Sequence, residues 1–291
     1  MTGDNFTEES FLAELKKIAS QKEYDCFHQK MYTLLQKTDS TNSELLRKIS
    51  ASTSLLNSDG TRTCEGEKLH LSLVAAAQQS AGRGRVGRSY YSPPESGIYF
   101  SICYVPRAGV TDASVYTVAA AVGVCRAIDA LCKTECRIKW VNDIYLNEKK
   151  VCGILTEGTL NPVSQKVEAA VIGIGINIVA DAAMPRELLS KAGGICSAEG
   201  GGKRPLRTAL LARVYLETVR ILESSENIIG EYRARSFLSG KTVTVTPLAG
   251  TDSGSYSAEV LDITDDAGLL VQLKDKSTRT LHSGEVTLKC S

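Results

Sequence analysis

The chain has 291 residues, 43% hydrophobic and 23% charged, the composition of a globular protein able to bury a core in one large domain or two. A formal net charge of +1 excludes a global field that draws the protein onto nucleic acid or membrane, so any electropositive site has to be local. Nine cysteines, an odd number without C-x-x-C pairs, exclude a disulfide scaffold and read as reduced thiols of a cytoplasmic protein.

The N-terminus (MTGDNFTEES) is acidic and polar, unlike a signal or transit peptide, and no 18-residue apolar stretch is read as a membrane span. Glu8 to Ile18 places Phe11, Leu12, Leu15 and Ile18 at helical spacing, and Ser43 to Ser50 does the same with Leu45, Leu46 and Ile49. Ser40-Thr41-Asn42 opens the second of these helices, where capping alone accounts for it. From Ser50 to Glu67 the chain is rich in Ser, Thr, Asn, Asp and Gly and reads as a surface loop. Strands are predicted over His70 to Gln78 and Ile98 to Val105.

Between those strands, Gly82-Arg83-Gly84-Arg85-Val86-Gly87-Arg88 offers glycines for close backbone approach and three guanidinium groups for an anion. Its spacing satisfies G-x-G-x-x-G, but the dinucleotide fingerprint needs a helix to follow. Here Ser89 to Gly97 contains tandem Pro93-Pro94 and cannot be helical. No V-A-I-K, H-R-D or D-F-G follows either, which removes the kinase reading. The positive charge must therefore come from arginines rather than a helix dipole.

Asp112 to Cys132 predicts a long helix with Asp112 as N-cap and Val115, Val118, Val122, Cys125 and Ile128 on one side. Cys132 and Cys136 lack a third or fourth ligand nearby, so no fixed metal site is expected. Strands follow over Arg137 to Trp140, Ile144 to Leu146, Val151 to Glu157 and Lys166 to Val179, with Asn147 to Lys150 closing a hairpin. Helical patterns return at Pro185 to Lys191 and Leu206 to Glu223. From Lys241 onward every segment is short and β-like, with turns at Gly250, Asp252 to Gly254, Asp265 to Gly268 and Asp275 to Ser277. These features predict a small β-barrel appended to an α/β body.

Further constellations carry chemistry. Gln79 stands three residues before Gly82 at a strand end. Lys139, Trp140, Asn142 and Asp143 set a cation, the sole tryptophan, an amide and a carboxylate at a strand-to-turn boundary, where a buried tryptophan is an equally good account. Lys150 precedes Gly153 by three. Gly173, Gly175 and Asn177 share one face of a strand, a flat open face that suits a ligand lying against the sheet.

The ordered set S-T-N, Q-x-x-G-R-G-R-x-G-R, K-W-x-N-D, K-x-x-G-I-L-x-E, G-x-G-I-N and the closing Leu281 to Val286 segment resembles the biotin protein ligases from about Thr38 to the end. The resemblance implies an α+β fold. Its parts are a class II synthetase-like catalytic domain with a mixed, largely antiparallel sheet flanked by helices (31–236), a C-terminal SH3-like β-barrel (237–291) and an N-terminal extension (1–30). It also implies that biotin and ATP react to biotinoyl-5′-AMP and pyrophosphate, followed by transfer of biotin to a lysine of a biotin carboxyl carrier domain.

In that pattern Ser40, Thr41, Asn42, Gln79, Gly82, Gly153 and Gly173 fall on biotin, and Arg83 and Arg85 on biotin and nucleotide. Arg88, Lys139, Trp140, Asn142, Gly175 and Asn177 fall on the nucleotide, with Mg²⁺ as counter-ion. Lys150 matches the essential lysine at the biotin carboxylate, with Arg85 also catalytic. Asp143 orients or deprotonates the acceptor lysine, unless that lysine loses its proton to solvent. Val141 replaces the family's usual proline, and Tyr90-Tyr91 stand where a tryptophan is common. Only 39 residues precede Ser40, too few for the winged helix of bifunctional members, so DNA and membrane are not expected partners. A homodimer is left open. A lipoate-type ligase, or a nucleic-acid-binding protein using the Arg-Gly loop, are the alternatives.

Overall fold

The computed structural model describes residues 5–107, 109–110, 112–161, 166–181, 183–196, 204–224, 226–246, 254–282 and 285–288. The predicted turns at 250 and 252–253, Ser283-Gly284 of the closing segment, and Cys290 lie outside the described residues. Two helices come first, α1 (Glu8–Ile18) and α2 (Gln21–Phe27), the latter started by a reciprocal capping box between Ser20 and Glu23. The body continues as β1 (Tyr32–Leu35), α3 (Thr41–Ser50), α4 (Cys64–Leu69), β2 (Leu73–Ala76), β3 (Gly97–Tyr104) and α5 (Ala113–Cys132). After these come β4 (Arg137–Lys139), β5 (Asp143–Leu146), β6 (Lys149–Leu160), β7 (Val167–Asn177), α6 (Arg186–Leu189), α7 (Arg207–Glu223) and α8 (Ile229–Arg235).

Seven strands form one sheet in the order β1-β2-β3-β7-β6-β5-β4, with β1 and β2 parallel and every other pair antiparallel. The sheet is mixed and largely antiparallel, as expected. Alternation along the strands gives it two different faces. Ala170, Ile172, Ile174 and Ile176 of β7 belong to the large core under α5, α7 and α1, while Ala169 and Val171 join a smaller cluster with Leu45 and Ile49 of α3. Beyond α3 the second face passes from Val171 to Gly173 and Gly175, so the helix covers one end and glycines mark the other.

Several boundaries differ from the sequence reading. The loop expected over 50–67 contains α4, capped by Thr63. The strand expected from His70 starts at Leu73, because His70 caps α4 and Leu71 turns the chain at φ 66°. Within the N-terminal segment, Phe11 and Phe27 pack edge-on against the buried ring of Tyr215 on α7. Helix α5 is, contrary to the reading of no apolar 18-residue stretch, long and apolar enough by composition to cross a membrane. It lies mostly buried against α7 and the sheet, where a core helix has the same composition.

Arg220 of α7 donates to Glu23 at 2.7 Å, and this bond holds the Glu23 carboxyl down at about 2. A depressed carboxyl stabilises the fold above its unfolded value and loses that effect as pH falls through its folded one. The stability difference between wild type and Arg220→Gln is expected to be constant above about pH 5 and to vanish as pH falls through about 2. Denaturant titrations across that range check it, and a difference that persists at pH 2 contradicts it.

The remaining strands, β8 (Thr242–Thr246), β9 (Tyr256–Ile263), β10 (Leu269–Gln272), β11 (Thr278–Leu281) and β12 (Glu285–Leu288), form a five-stranded antiparallel sheet in the order β11-β10-β9-β8-β12. Arg233 of α8 ties it to the body by donating to Ile263 O at 2.6 Å and to Asp265 at 2.7 Å.

Candidate functional site

A cavity of about 200 Å³ opens at the glycine end of the large sheet. Of the residues singled out in the sequence, all except Gly82 and Asn177 line it. Convergence follows from topology: α3 points its first turn at β7, the arginine loop leaves β2, and the β5–β6 hairpin returns Lys150 beside Asp143.

Ser40 caps α3, its hydroxyl accepting from Ser43 N, and also lines the cavity, so the bland and functional readings coexist. Thr41 donates from its backbone N–H to Gln79 Oε1 at 2.8 Å, and Gln79 Nε2 donates to Ser92 Oγ at 3.0 Å. Asn42 is buried over Gly173 and donates to Glu157 Oε2 at 2.7 Å, while Ser101 Oγ lies 2.5 Å from its Oδ1.

The arginine loop is not helical beyond one 3₁₀ turn over Arg85–Gly87, as the prolines require. Arg83 donates to Glu157 Oε1 at 2.5 Å, and Arg85 reaches Asn142 Oδ1 at 3.3 Å. Asn142 donates in turn to Ile154 O at 2.7 Å. At the hairpin, Asn147 and Glu148 both take positive φ, and Lys150 Nζ stands 2.6 Å from Asp143 Oδ1 with the lysine side chain 30% exposed. Asp143 is thus engaged with Lys150, which leaves its expected role toward an incoming lysine dependent on releasing that pair.

The open face predicted over Gly173 and Gly175 is instead tiled by side chains. A Cβ on Gly173 would fall 2.1 Å from Asn42 Oδ1, and one on Gly175 2.5 Å from the Tyr90 ring. Tyr90 also covers Gly153, and its hydroxyl donates to Gly175 O at 2.7 Å. Burial pushes this phenol well above its ordinary range, so it acts as a neutral donor.

Two of the expected residues do not line the cavity. Gly82 sits outside the cavity at the neck of the loop, where a Cβ would meet Tyr90 O at 2.4 Å; its need is the tight crossing. Asn177 also stands outside, with its amide donated to Gly193 O at 3.1 Å. Trp140 lines the cavity but is buried, and its indole N–H donates to Ala267 O at 2.8 Å in the turn before β10. Its role as a joint between the two sheets is therefore in place independently of any ligand. Sequence reasoning gave no role to Glu157 and Val286, although both stand in quoted motifs, and did not single out Ser101 or Ser92; Val286 reaches the cavity from β12. Period two along β6 from Gly153 points to Glu157, because both fall on one face. No group of three or more His, Cys, Asp or Glu side chains able to hold a metal ion occurs among the described residues.

Residues 49–177 match the model of the biotin/lipoate A/B protein ligase family. The chain is 29% identical over 225 residues to the bifunctional ligase/repressor BirA of Bacillus spizizenii, a match covering 74% of this chain and 66% of that protein. It is 26% identical over 265 residues to the biotin--[acetyl-CoA-carboxylase] ligase of Mycobacterium tuberculosis, covering 87% of each. Among solved structures, the biotin protein ligase of Aquifex aeolicus in complex with biotin and ATP superposes with a TM-score of 0.67 at 23% identity, over 90% of this chain and 99% of that one, a likeness of fold. With the glycine-floored, arginine-rimmed cavity these matches agree: residues 49–177 carry the biotin/lipoate A/B protein ligase match, and the chain shares the fold of the Aquifex aeolicus ligase.

Proposed function

We propose that this chain is a biotin protein ligase that activates biotin with ATP and passes it to a lysine of a biotin carboxyl carrier domain. One observation carries the reading: Lys150 and Arg85 and Arg88 of the loop line the same cavity as the Thr41-Gln79 polar pair. Bringing a carboxylate to the α-phosphorus of a polyanion requires cations held in place before either reactant arrives. A biotin carboxylate oxygen attacks the α-phosphorus, pyrophosphate leaves, and an acyl-adenylate forms. A neutral lysine amine then attacks the acyl carbon, AMP leaves with the bonding pair, and an amide remains after loss of the amine proton.

Lys150 faces the carboxylate and the charge building on the phosphate oxygens, with Arg85 and Arg88 on the phosphate chain. Thr41 and Gln79 suit the ureido ring, whose N–H and C=O groups match a hydroxyl and an amide. Mg²⁺ would accompany the nucleotide's phosphates as counter-ion. The arginine loop and Tyr90 both line the cavity, so the fit of substrates depends on where they rest. We read 31–236 as a class II synthetase-like catalytic domain and the five-stranded sheet as an SH3-like barrel within 237–291.

Purified protein is expected to release pyrophosphate from ATP only with biotin present, and to raise the mass of a carrier domain by one biotinyl group. Pyrophosphate release driven by lipoate and not by biotin overturns the substrate assignment.

A further inference from the structure

We infer that Glu157 on β6 is a positioning residue that pins the arginine loop through Arg83, and that Arg83 therefore serves the loop rather than the ligand. The inference rests on the ligase reading for its kinetic consequence, but its geometry stands without it. Glu157 is not among the residues lining the cavity, whereas its partner Arg83 is. One carboxylate oxygen takes Arg83 at 2.5 Å and the other takes Asn42 Nδ2 at 2.7 Å, so the acceptor is already oriented before the loop docks on it. A carboxylate fixed in this way loses less side-chain freedom on pairing than the usual surface partner.

Glu157 is also the end of a continuous polar chain. Asn42 Oδ1 is within 2.5 Å of Ser101 Oγ, which lies 2.7 Å from Thr41 Oγ1, and Thr41 meets Gln79 Oε1. Gln79 then donates to Ser92 Oγ, and Ser92 Oγ to Tyr90 O at 3.0 Å. The chain thus touches the loop at its entry (Gln79), its body (Arg83) and its exit (Tyr90 and Ser92), with Glu157 supplying the only formal charge opposite Arg83 in it. A guanidinium spent on this contact is neutralised, which leaves Arg85 and Arg88 to meet the phosphates.

The test uses the full chain and two readouts. Without ligand, trypsin is expected to cut after Arg85 or Arg88 about fivefold faster in Glu157→Gln than in wild type, an isosteric change that keeps an oxygen for Asn42 while removing the charge. With biotin and ATP, Glu157→Gln and Arg83→Gln are each expected to raise KM about fivefold with kcat within twofold, and the double variant to be no worse than either single one. Wild-type loop protection in Glu157→Gln overturns the inference, as does an additive double variant or a loss confined to kcat. A wild-type protein inactive toward biotin whose loop is still loosened by Glu157→Gln sinks the ligase reading and leaves the pin standing.

Discussion

Lys150→Ala is expected to reduce biotin-dependent pyrophosphate release by roughly 10³-fold while the protein stays folded. The large effect comes from what the ammonium does when both reactants are anions: it supplies a preplaced positive charge at the point where their repulsion is greatest. The small structural effect comes from its surroundings. Its side chain is 30% exposed on a hairpin, and among the described residues its close charged contact is Asp143 at 2.6 Å, a pair partly screened by solvent and worth about 1 kcal/mol at most. A melting temperature close to that of wild type, together with lost adenylate, is the expected combination. An activity near normal in this variant removes Lys150 from the chemistry.

Gly173→Ala tests the floor rather than the cation. The added methyl would lie 2.1 Å from Asn42 Oδ1 and 2.8 Å from its Cγ. A free asparagine would swing away at little cost. Asn42 is tethered, with Ser101 on its Oδ1 and Glu157 and Leu155 O on its Nδ2. Moving it breaks buried hydrogen bonds and leaves unsatisfied groups, a cost of about 2–4 kcal/mol. Activity should fall at least 100-fold, because Asn42 shares Ser101 Oγ with Thr41, the residue that holds Gln79. Denaturant midpoints check the first figure and initial rates the second. The double variant with Asn42→Ala should recover part of the stability and little of the activity, which separates crowding from loss of the amide.

What was legible in the sequence was local or periodic. The Ser40 and Asp112 caps, the Asn147-Glu148 turn and the non-helical exit from the arginine loop each depend on residues a few positions apart, and each is where it was expected. The ordered motifs also brought most of the candidate site to one cavity. What was not legible was set by partners far along the chain. Strand β1 is only Tyr32–Leu35, too short to show alternation, and exists because β2 offers it a parallel edge. Helix α4 hid in a polar stretch whose anchor, Glu168, accepts from Leu55 N across 113 positions. Glu157 stood in the quoted K-x-x-G-I-L-x-E motif without a role for the same reason, since Arg83 and Asn42 lie 74 and 115 positions away. Tyr90 looked like a substitute aromatic, but only the sheet geometry shows it lying across two glycines on adjacent strands.

The indole of Trp140 touches the cavity on one side and gives its proton to the C-terminal sheet on the other. It is also the sole tryptophan in the chain. The protein therefore carries its own optical reporter: emission from one fluorophore registers both a ligand entering the cavity it lines and any loosening of the joint to the second sheet. Exchange of the Ala267 carbonyl for water shifts that emission to the red, whereas a ligand group packed against the ring changes its intensity. The two events can thus be followed in the unlabelled protein, in one cuvette.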